Sequence, residues 1–283
     1  MNCYNFVEYN FKEGLLDESV DATYVIHLEN NGRIDNVLKQ INKYKPTKKV
    51  YILYNKGYKK CNKNLSKNIP DKDLVHCNFT IFKHANDFNY NNILILEDDF
   101  TFSDKINKNN ILKDLNNFLV KHINTKFIYY IGGLPFLSIP LKNNHYKPLS
   151  ILTTHSCIFS KSSREDLLSN EDLLSNEDLF LWDFQLTSYS NINKYHYKYP
   201  LCYQTFPVTE NQKHWKICQN PFINYILINI SKSCIKLLNS DKYPEPSFTI
   251  IYTISIISFY LFIFFIIYII YKYIKLRNEK INI

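Results

Sequence analysis

Glycine is scarce in this 283-residue chain, which has only Gly14, Gly32, Gly57, Gly132 and Gly133. No spacing among them supplies a Walker A loop or a G-x-G-x-x-G turn, so the common phosphate-cradling loops are excluded. Arginine is scarcer still, with Arg33, Arg164 and Arg277 alone. Arginine is the side chain that forks onto guanine and phosphate, so a net charge of +8 carried by lysine is a poor nucleic-acid surface. The 35 asparagines beside abundant Ile, Lys and Tyr point to an AT-rich coding sequence as the origin of that charge. No nucleic-acid partner is expected.

The seven cysteines form no C-x-x-C pair, and their odd number and scattered spacing match neither a zinc site nor a fully paired disulfide framework. Reduced thiols in a cytosol-facing domain are expected. Met1–Val20 carries Glu8, Lys12, Glu13, Asp17 and Glu18, which is not a leader pattern. The sequons at Asn64, Asn78 and Asn229 are expected by chance in so asparagine-rich a chain.

What the chain does have is one long apolar run, Phe248–Tyr271, without a single charge. As a helix it would reach about 36 Å, enough to cross a hydrocarbon layer of ~30 Å with some tilt. Tyr252, Tyr268, Tyr271 and Tyr273 suit the interfacial belt, and Pro244 and Pro246 mark a linker before it. A single-pass C-terminal anchor is expected, with the domain facing the cytosol. Lys272, Lys275, Arg277 and Lys280 beyond the span pull the other way. Residues 217–240 are expected to lie along the membrane as an amphipathic segment.

Ahead of this, strand-like runs alternate with helical spacings. Thr23–Leu28, Lys49–Tyr54, Asn92–Leu96 and Phe127–Ile131 read as strands, while Ile34–Ile41 and Ile111–Val120 repeat apolar residues at helical intervals. The alternation predicts an α/β fold with a mostly parallel central sheet covered by helices. The tandem repeat EDLLSN within Glu165–Phe180 predicts a surface helix lengthened by slippage, with its acids in water.

Glu97-Asp98-Asp99 follows the apolar run Asn92–Leu96 directly. Ligands of open α/β sheets gather beyond the carboxyl ends of the strands, and clustered carboxylates there suit Mg²⁺ or Mn²⁺. The stretch His84–Asp104 around the triplet resembles glycosyltransferases of the GT-A type, particularly the family-25 group of lipooligosaccharide and collagen galactosyltransferases. Tyr24-Val25-Ile26-His27-Leu28-Glu29 followed by Arg33 resembles that family's first strand, with His27 where the family has Asn and Glu29 where it has Asp. Thr154–Lys161 and Pro200–Gln204, reaching to Thr209-Glu210-Asn211 and Trp215, extend the likeness over most of residues 20–215. It is similar to glycosyltransferase-like proteins of large cytoplasmic DNA viruses.

The resemblance implies a GT-A-like (Rossmann-like) nucleotide-sugar domain over 20–216. An N-terminal extension (1–19) precedes it, and a juxtamembrane segment and linker (217–247), a transmembrane helix (248–271) and a basic tail (272–283) follow. It further implies a UDP-linked sugar donor, an Mn²⁺ or Mg²⁺ cofactor, and a glycan, protein or lipid acceptor. Asp99 is the first choice as metal ligand, with Asp98 and His155 as further ligands. His27, Glu29, Arg33, Glu97, Asp98 and Gln204 would border the donor, and Asp183, set among aromatics, would act as general base. His214 could contact the diphosphate, and Trp182 or Trp215 could stack on an acceptor sugar, although core packing also accounts for a tryptophan. A second function stays open: a catalytically inactive, membrane-anchored virion or scaffold protein that keeps the fold as a binding module.

Overall fold

The first parallel strands read as nearly unbroken apolar runs because both of their faces are covered. In the computed structural model, which describes residues 2–176, 181–205, 221–237 and 243–281, β2 (Ala22–Leu28), β3 (Lys49–Asn55) and β4 (Asn92–Glu97) form the centre of the sheet. β2 pairs in parallel with β3 and β4, setting Val25 opposite both Ile52 and Leu96. The intervening helices are α1 (Ile34–Tyr44) and α2 (Pro70–Asp87), the latter with proline in its first turn, where the missing N–H costs nothing. β5 (Phe100–Phe102), α3 (Asn109–Lys121) and β6 (Phe127–Tyr130) follow.

The expectation of a mostly parallel sheet is corrected to a mixed one. β6 leads into a hairpin of β7 (Leu134–Pro140) and β8 (His145–Leu152), and β9 (Ser156–Ser160) then returns between β4 and β6, antiparallel to both. After α4 (Lys161–Ser169), α5 (Glu171–Asn176) and α6 (Trp182–Ser188), β10 (Asn193–Tyr197) pairs in parallel with β6 and antiparallel with β8. β11 (Cys202–Gln204) leaves this sheet to pair with β5. The order across the sheet is β1-β3-β2-β4-β9-β6-β10-β8-β7. Chain reversal by the β7–β8 hairpin, invisible to local periodicity, is what places an antiparallel strand at its middle.

Two apolar layers sandwich the sheet. On one face Val25, Ile52 and Leu96 pack with Val37 and Ile41 of α1 and with Ile111, Leu115 and Leu119 of α3. On the other, Tyr24, Leu53 and Ile95 pack with Phe79 and Phe82 of α2, Leu167 of α4 and Trp182 of α6. Trp182 thus belongs to the core, its ring 5.9 Å from that of Phe79. Of the repeat acids, Glu165 and Asp166 lie on α4 and Glu171 and Asp172 on α5, where Glu171 pairs with Lys83 at 2.9 Å; the remaining two lie outside the described residues.

Residues ahead of position 20 supply an edge strand, β1 (Tyr4–Asn10), antiparallel to β3. A disulfide joins Cys3 to Cys61, with Cα atoms 5.6 Å apart, and corrects the expectation of reduced thiols for this pair. Pairing of Tyr4 with Asn55 brings the start of β1 beside the loop after β3, so two cysteines 58 residues apart in sequence meet. Cys77, Cys157 and Cys202 are free and buried.

A helix, α7, covers Pro221–Leu237, and α8 runs from Ser247 to Ile281, longer at both ends than the apolar run alone. Among the described residues it is the one helix long and apolar enough to cross a membrane. Its first turns are docked on the domain. Glu245 accepts a hydrogen bond from Tyr203 and pairs with Lys105 at 3.0 Å. Phe248 and Tyr252 are buried, and Ser255 exchanges a 2.7 Å hydrogen bond with Ser138 of β7.

Candidate active site

β4 ends at Glu97, and the turn that follows sends its three carboxylates into three different environments. Asp98 turns toward β2 and the loop before α1. Its Oδ2 accepts from His27 Nδ1 at 3.0 Å, Leu28 N at 3.1 Å and Asn31 Nδ2 at 2.5 Å, and its Oδ1 accepts from Arg33 at 2.7 Å. Burial alone would raise this acid, but the hydrogen bonds from His27 and Asn31 and the Arg33 charge outweigh it and hold the carboxyl below its ordinary range. The arrangement depends on a tight turn. Gly32 sits at φ 77°, in the left-handed region, and Asn31 Oδ1 accepts from Arg33 N at 3.0 Å. Arg33 is thereby fixed at the start of α1, just past the carboxyl end of β2.

Glu97 turns the other way, toward the β8–β9 connection and α6. The Thr154 hydroxyl lies 3.2 Å from Glu97 Oε1 and 2.9 Å from Asp183 Oδ1, and Thr153 N donates to Asp183 Oδ2 at 3.0 Å. Glu97 is pushed well up by burial and then by the charges of Asp99 and Asp183, and Asp183 is raised by burial. Both keep an edge open to solvent. Asp183 stands in the first turn of α6, which is held in place by Trp182 N donating to Asp71 Oδ1 at 3.2 Å.

Asp99 is buried between these two groups. Gln204 Nε2 donates to its Oδ2 at 3.1 Å, a contact made possible because β11 pairs with β5 and sets Gln204 opposite Phe100. Its Oδ1 is buried with no hydrogen-bond partner among the described residues. Burial and the neighbouring Asp98 charge push Asp99 up to about 6. A buried carboxylate oxygen without a donor is a position that a proton or a cation fills.

The structure therefore brings together His27, Arg33 and Asp98 as one group, Glu97 and Asp183 as a second, and Asp99 with Gln204 as a third. Glu29 lies half-buried on the same turn as Arg33, its N–H donated to Asn55 O at 2.8 Å. His155 meets Glu97 through its backbone. Its carbonyl accepts from Glu97 N at 2.9 Å, but the imidazole packs on Phe248 of α8 with ring centroids 6.2 Å apart. Burial pushes it down to about 3, so it is neutral, and its Nε2 has no partner among the described residues. A Cβ at Gly132 would lie 2.6 Å from that Nε2 and 2.2 Å from Cys202 O, which explains why glycine stands there.

Thr209, Glu210, Asn211, His214 and Trp215 lie outside the described residues. His84 packs between Phe6 and Tyr24 on the α2 face of the sheet. Asn31, Thr154 and Asp71 are the participants that sequence reading did not single out. Asn31 had a local signal, an Asx-type turn beside Gly32, whereas Thr154 and Asp71 act through long-range contacts.

Among the described residues, no group of three or more His, Cys, Asp or Glu side chains is arranged to hold a metal ion. Asp98 has its oxygens occupied, and one open carboxylate oxygen remains on Asp99.

The opposed shifts predict a pH dependence of stability. Asp99 and Asp71, each raised to about 6 by burial first, contribute stability that is full near pH 4 and is lost as pH rises to about 6. A shift of roughly two units corresponds to about 3 kcal/mol per group. Asp98 acts oppositely: its contribution is present above about pH 4 and lost below. The neutral imidazoles of His155 and His196, pushed down by burial to about 3 and about 4, act with Asp98, since their contribution is present above about pH 6.5 and lost as pH falls. The carboxylate contribution is therefore read as a difference: the urea midpoint of Asp71→Asn in detergent is expected to gain on that of wild type as pH rises from about 4 to 6. A difference that does not grow over that range contradicts the buried-carboxylate description.

No protein-family model matches this chain, and no curated protein does. Among solved structures, the chain is similar to the crystal structure of a glycosyltransferase involved in the glycosylation of the major capsid of PBCV-1. Identity is 13%, the match covers 69% of this chain and 96% of that chain, and the TM-score is 0.42. A likeness of that size establishes neither family nor substrate. The architecture is α/β with a mixed central sheet and one long apolar C-terminal helix.

Proposed function

We propose that this chain is a membrane-anchored glycosyltransferase that moves a sugar from a nucleotide-sugar donor, UDP-linked by resemblance, to a hydroxyl acceptor. The observation that carries the reading is the acidic end of β4: one carboxylate locked by Arg33, His27 and Asn31, and a second, Asp99, with a buried open oxygen. Arg33 and the turn from Glu29 to Asn31 would border the nucleotide. Asp99, oriented by Gln204, would hold a divalent ion that travels with the diphosphate and offsets its charge as it leaves. Asp183, partly open and raised above the ordinary range, supports the role of base. It would take the proton from the acceptor hydroxyl as that oxygen bonds to the anomeric carbon and the bond to the diphosphate breaks. In that scheme Thr154 would keep Asp183 and Glu97 in register.

Calorimetric titration of the detergent-solubilised chain with UDP-sugars tests this directly. Binding that requires Mn²⁺ or Mg²⁺ is the expected result. No heat from any nucleotide-sugar, with or without the ion, would leave the fold as a binding module for something else.

A further inference from the structure

The docking of α8 leaves a length problem for a helix read as spanning a membrane. Phe248, Tyr252 and Ser255 are buried against the domain, and every side chain from Tyr260 to Arg277 is exposed. The charge-free part of that exposed stretch, Tyr260–Tyr271, rises only about 18 Å, and extending it to Leu276 reaches about 25 Å. Both are short of a hydrocarbon layer of ~30 Å. The missing length has to come from the docked half of the helix.

That half is built for it. Ile250, Ile254 and Ile257 are exposed and fall at the i, i+4, i+7 spacing of one helix face, in line with Leu261 beyond. The strand on which the helix lies, β7, also turns apolar side chains outward: Phe136, 62% exposed, Ile139, and Leu141 just past its end. Beside this edge, Tyr199 is exposed beneath the ammonium groups of Lys105 and Lys198, 5.5 and 5.4 Å from its ring. An aromatic ring with lysines is the combination that settles at a headgroup boundary.

We infer that the outward face of the docked half of α8 and the β7 edge beside it are immersed in the interfacial layer of the bilayer. The domain is then seated in the leaflet and does not hang from a flexible tether. The occupant of this apolar face is lipid, because the face is continuous with the spanning part of the same helix and supplies the length that part lacks. The inference rests on the reading of α8 as a membrane span.

Fluorophore depth measurements on the full chain separate the two. Cysteines are introduced as Phe136→Cys, Ile254→Cys, Phe264→Cys and Lys39→Cys, with Cys218→Ser and Cys234→Ser removing two further thiols and Cys77, Cys157 and Cys202 left buried, and each is labelled with an environment-sensitive dye. Vesicles of phosphatidylcholine and phosphatidylglycerol carry a nitroxide near the headgroup end of the acyl chain or, in a second preparation, near its methyl end. Immersion predicts that positions 136 and 254 are quenched by the shallow nitroxide at least about twofold more than position 39, together with quenching at 264 by the deep one. If 264 is quenched while 136 and 254 match 39, the seat is wrong and the simple span stands. If 264 is not quenched, the span itself fails and takes the inference with it. Dyes at 136 and 254 that are shielded from both the lipid nitroxide and an aqueous quencher would mean that protein covers the face, which also overturns it.

Discussion

Asp99→Asn is expected to lower Mn²⁺-dependent transfer or donor hydrolysis by at least about a thousandfold while making the domain more stable at neutral pH. The two effects have one origin. Asp99 is buried beside Asp98, and its ionised form is disfavoured there, as its upward shift to about 6 shows. The amide keeps the size and can still accept from Gln204 but removes the like charge, so the urea midpoint rises relative to wild type, and by more at pH 7 than at pH 5. The same amide cannot offset a departing diphosphate. Glu171→Gln and Asp172→Asn, at the surface, should leave both readouts alone. Near-normal turnover in Asp99→Asn would pass the ion-holding role to Glu97, the neighbouring acid with an edge in solvent.

Arg33→Met is expected to fail in the opposite sense, losing stability along with donor affinity. Asp98 is a buried carboxylate whose Oδ1 is held by Arg33. Removing one partner of a buried pair strands the other charge, at a cost of ~3–5 kcal/mol in fully buried cases. The partly exposed guanidinium reduces this to about 2–3 kcal/mol. The sign with pH is fixed by Asp98. Its downward shift contributes stability above about pH 4, so the gap between wild type and variant should be full at pH 7 and close as pH falls through the range where Asp98 protonates. Adding Asp98→Asn to the Arg33→Met variant removes the stranded charge and should return part of the loss, the mark of coupling between neighbours. Equal urea midpoints for wild type and Arg33→Met at pH 7 would show that the pair contributes nothing to the fold.

Much of the scaffold was legible because its signals are local. The apolar runs at Thr23–Leu28, Lys49–Tyr54 and Asn92–Leu96 became β2, β3 and β4, and the helical spacings at Ile34–Ile41 and Ile111–Val120 became α1 and α3. Strands buried on both faces and helices with one apolar stripe carry their burial pattern in a handful of consecutive residues. The repeat was only partly readable: it forms two helices, α4 and α5, whose Leu167 and Leu174 join the core, while Glu165 and Asp172 are exposed.

The candidate site was legible only in its centre. Glu97-Asp98-Asp99 announced itself as an acidic stop after an apolar strand, but nothing in the triplet distinguishes its members. The distinction comes from partners far along the chain: Arg33 reaches Asp98 across 65 residues, Thr154 reaches Glu97 across 57, and Gln204 reaches Asp99 across 105. The environment of His155 was equally invisible: the fold sets its imidazole against Phe248 and leaves its Nε2 without a partner among the described residues.

Sequence alone determined β2, β3, β4 and β6 with α1 and α3, the acidic end of β4 and the existence of a helix apolar enough for a bilayer, because each is carried by one contiguous segment. Only the tertiary structure decided which carboxylate is locked and which is open, that the sheet is mixed, that Cys3 meets Cys61, and that half of α8 belongs to the domain. Those outcomes depend on loop closures spanning tens of residues, whose entropy is recovered by contacts that no local window contains.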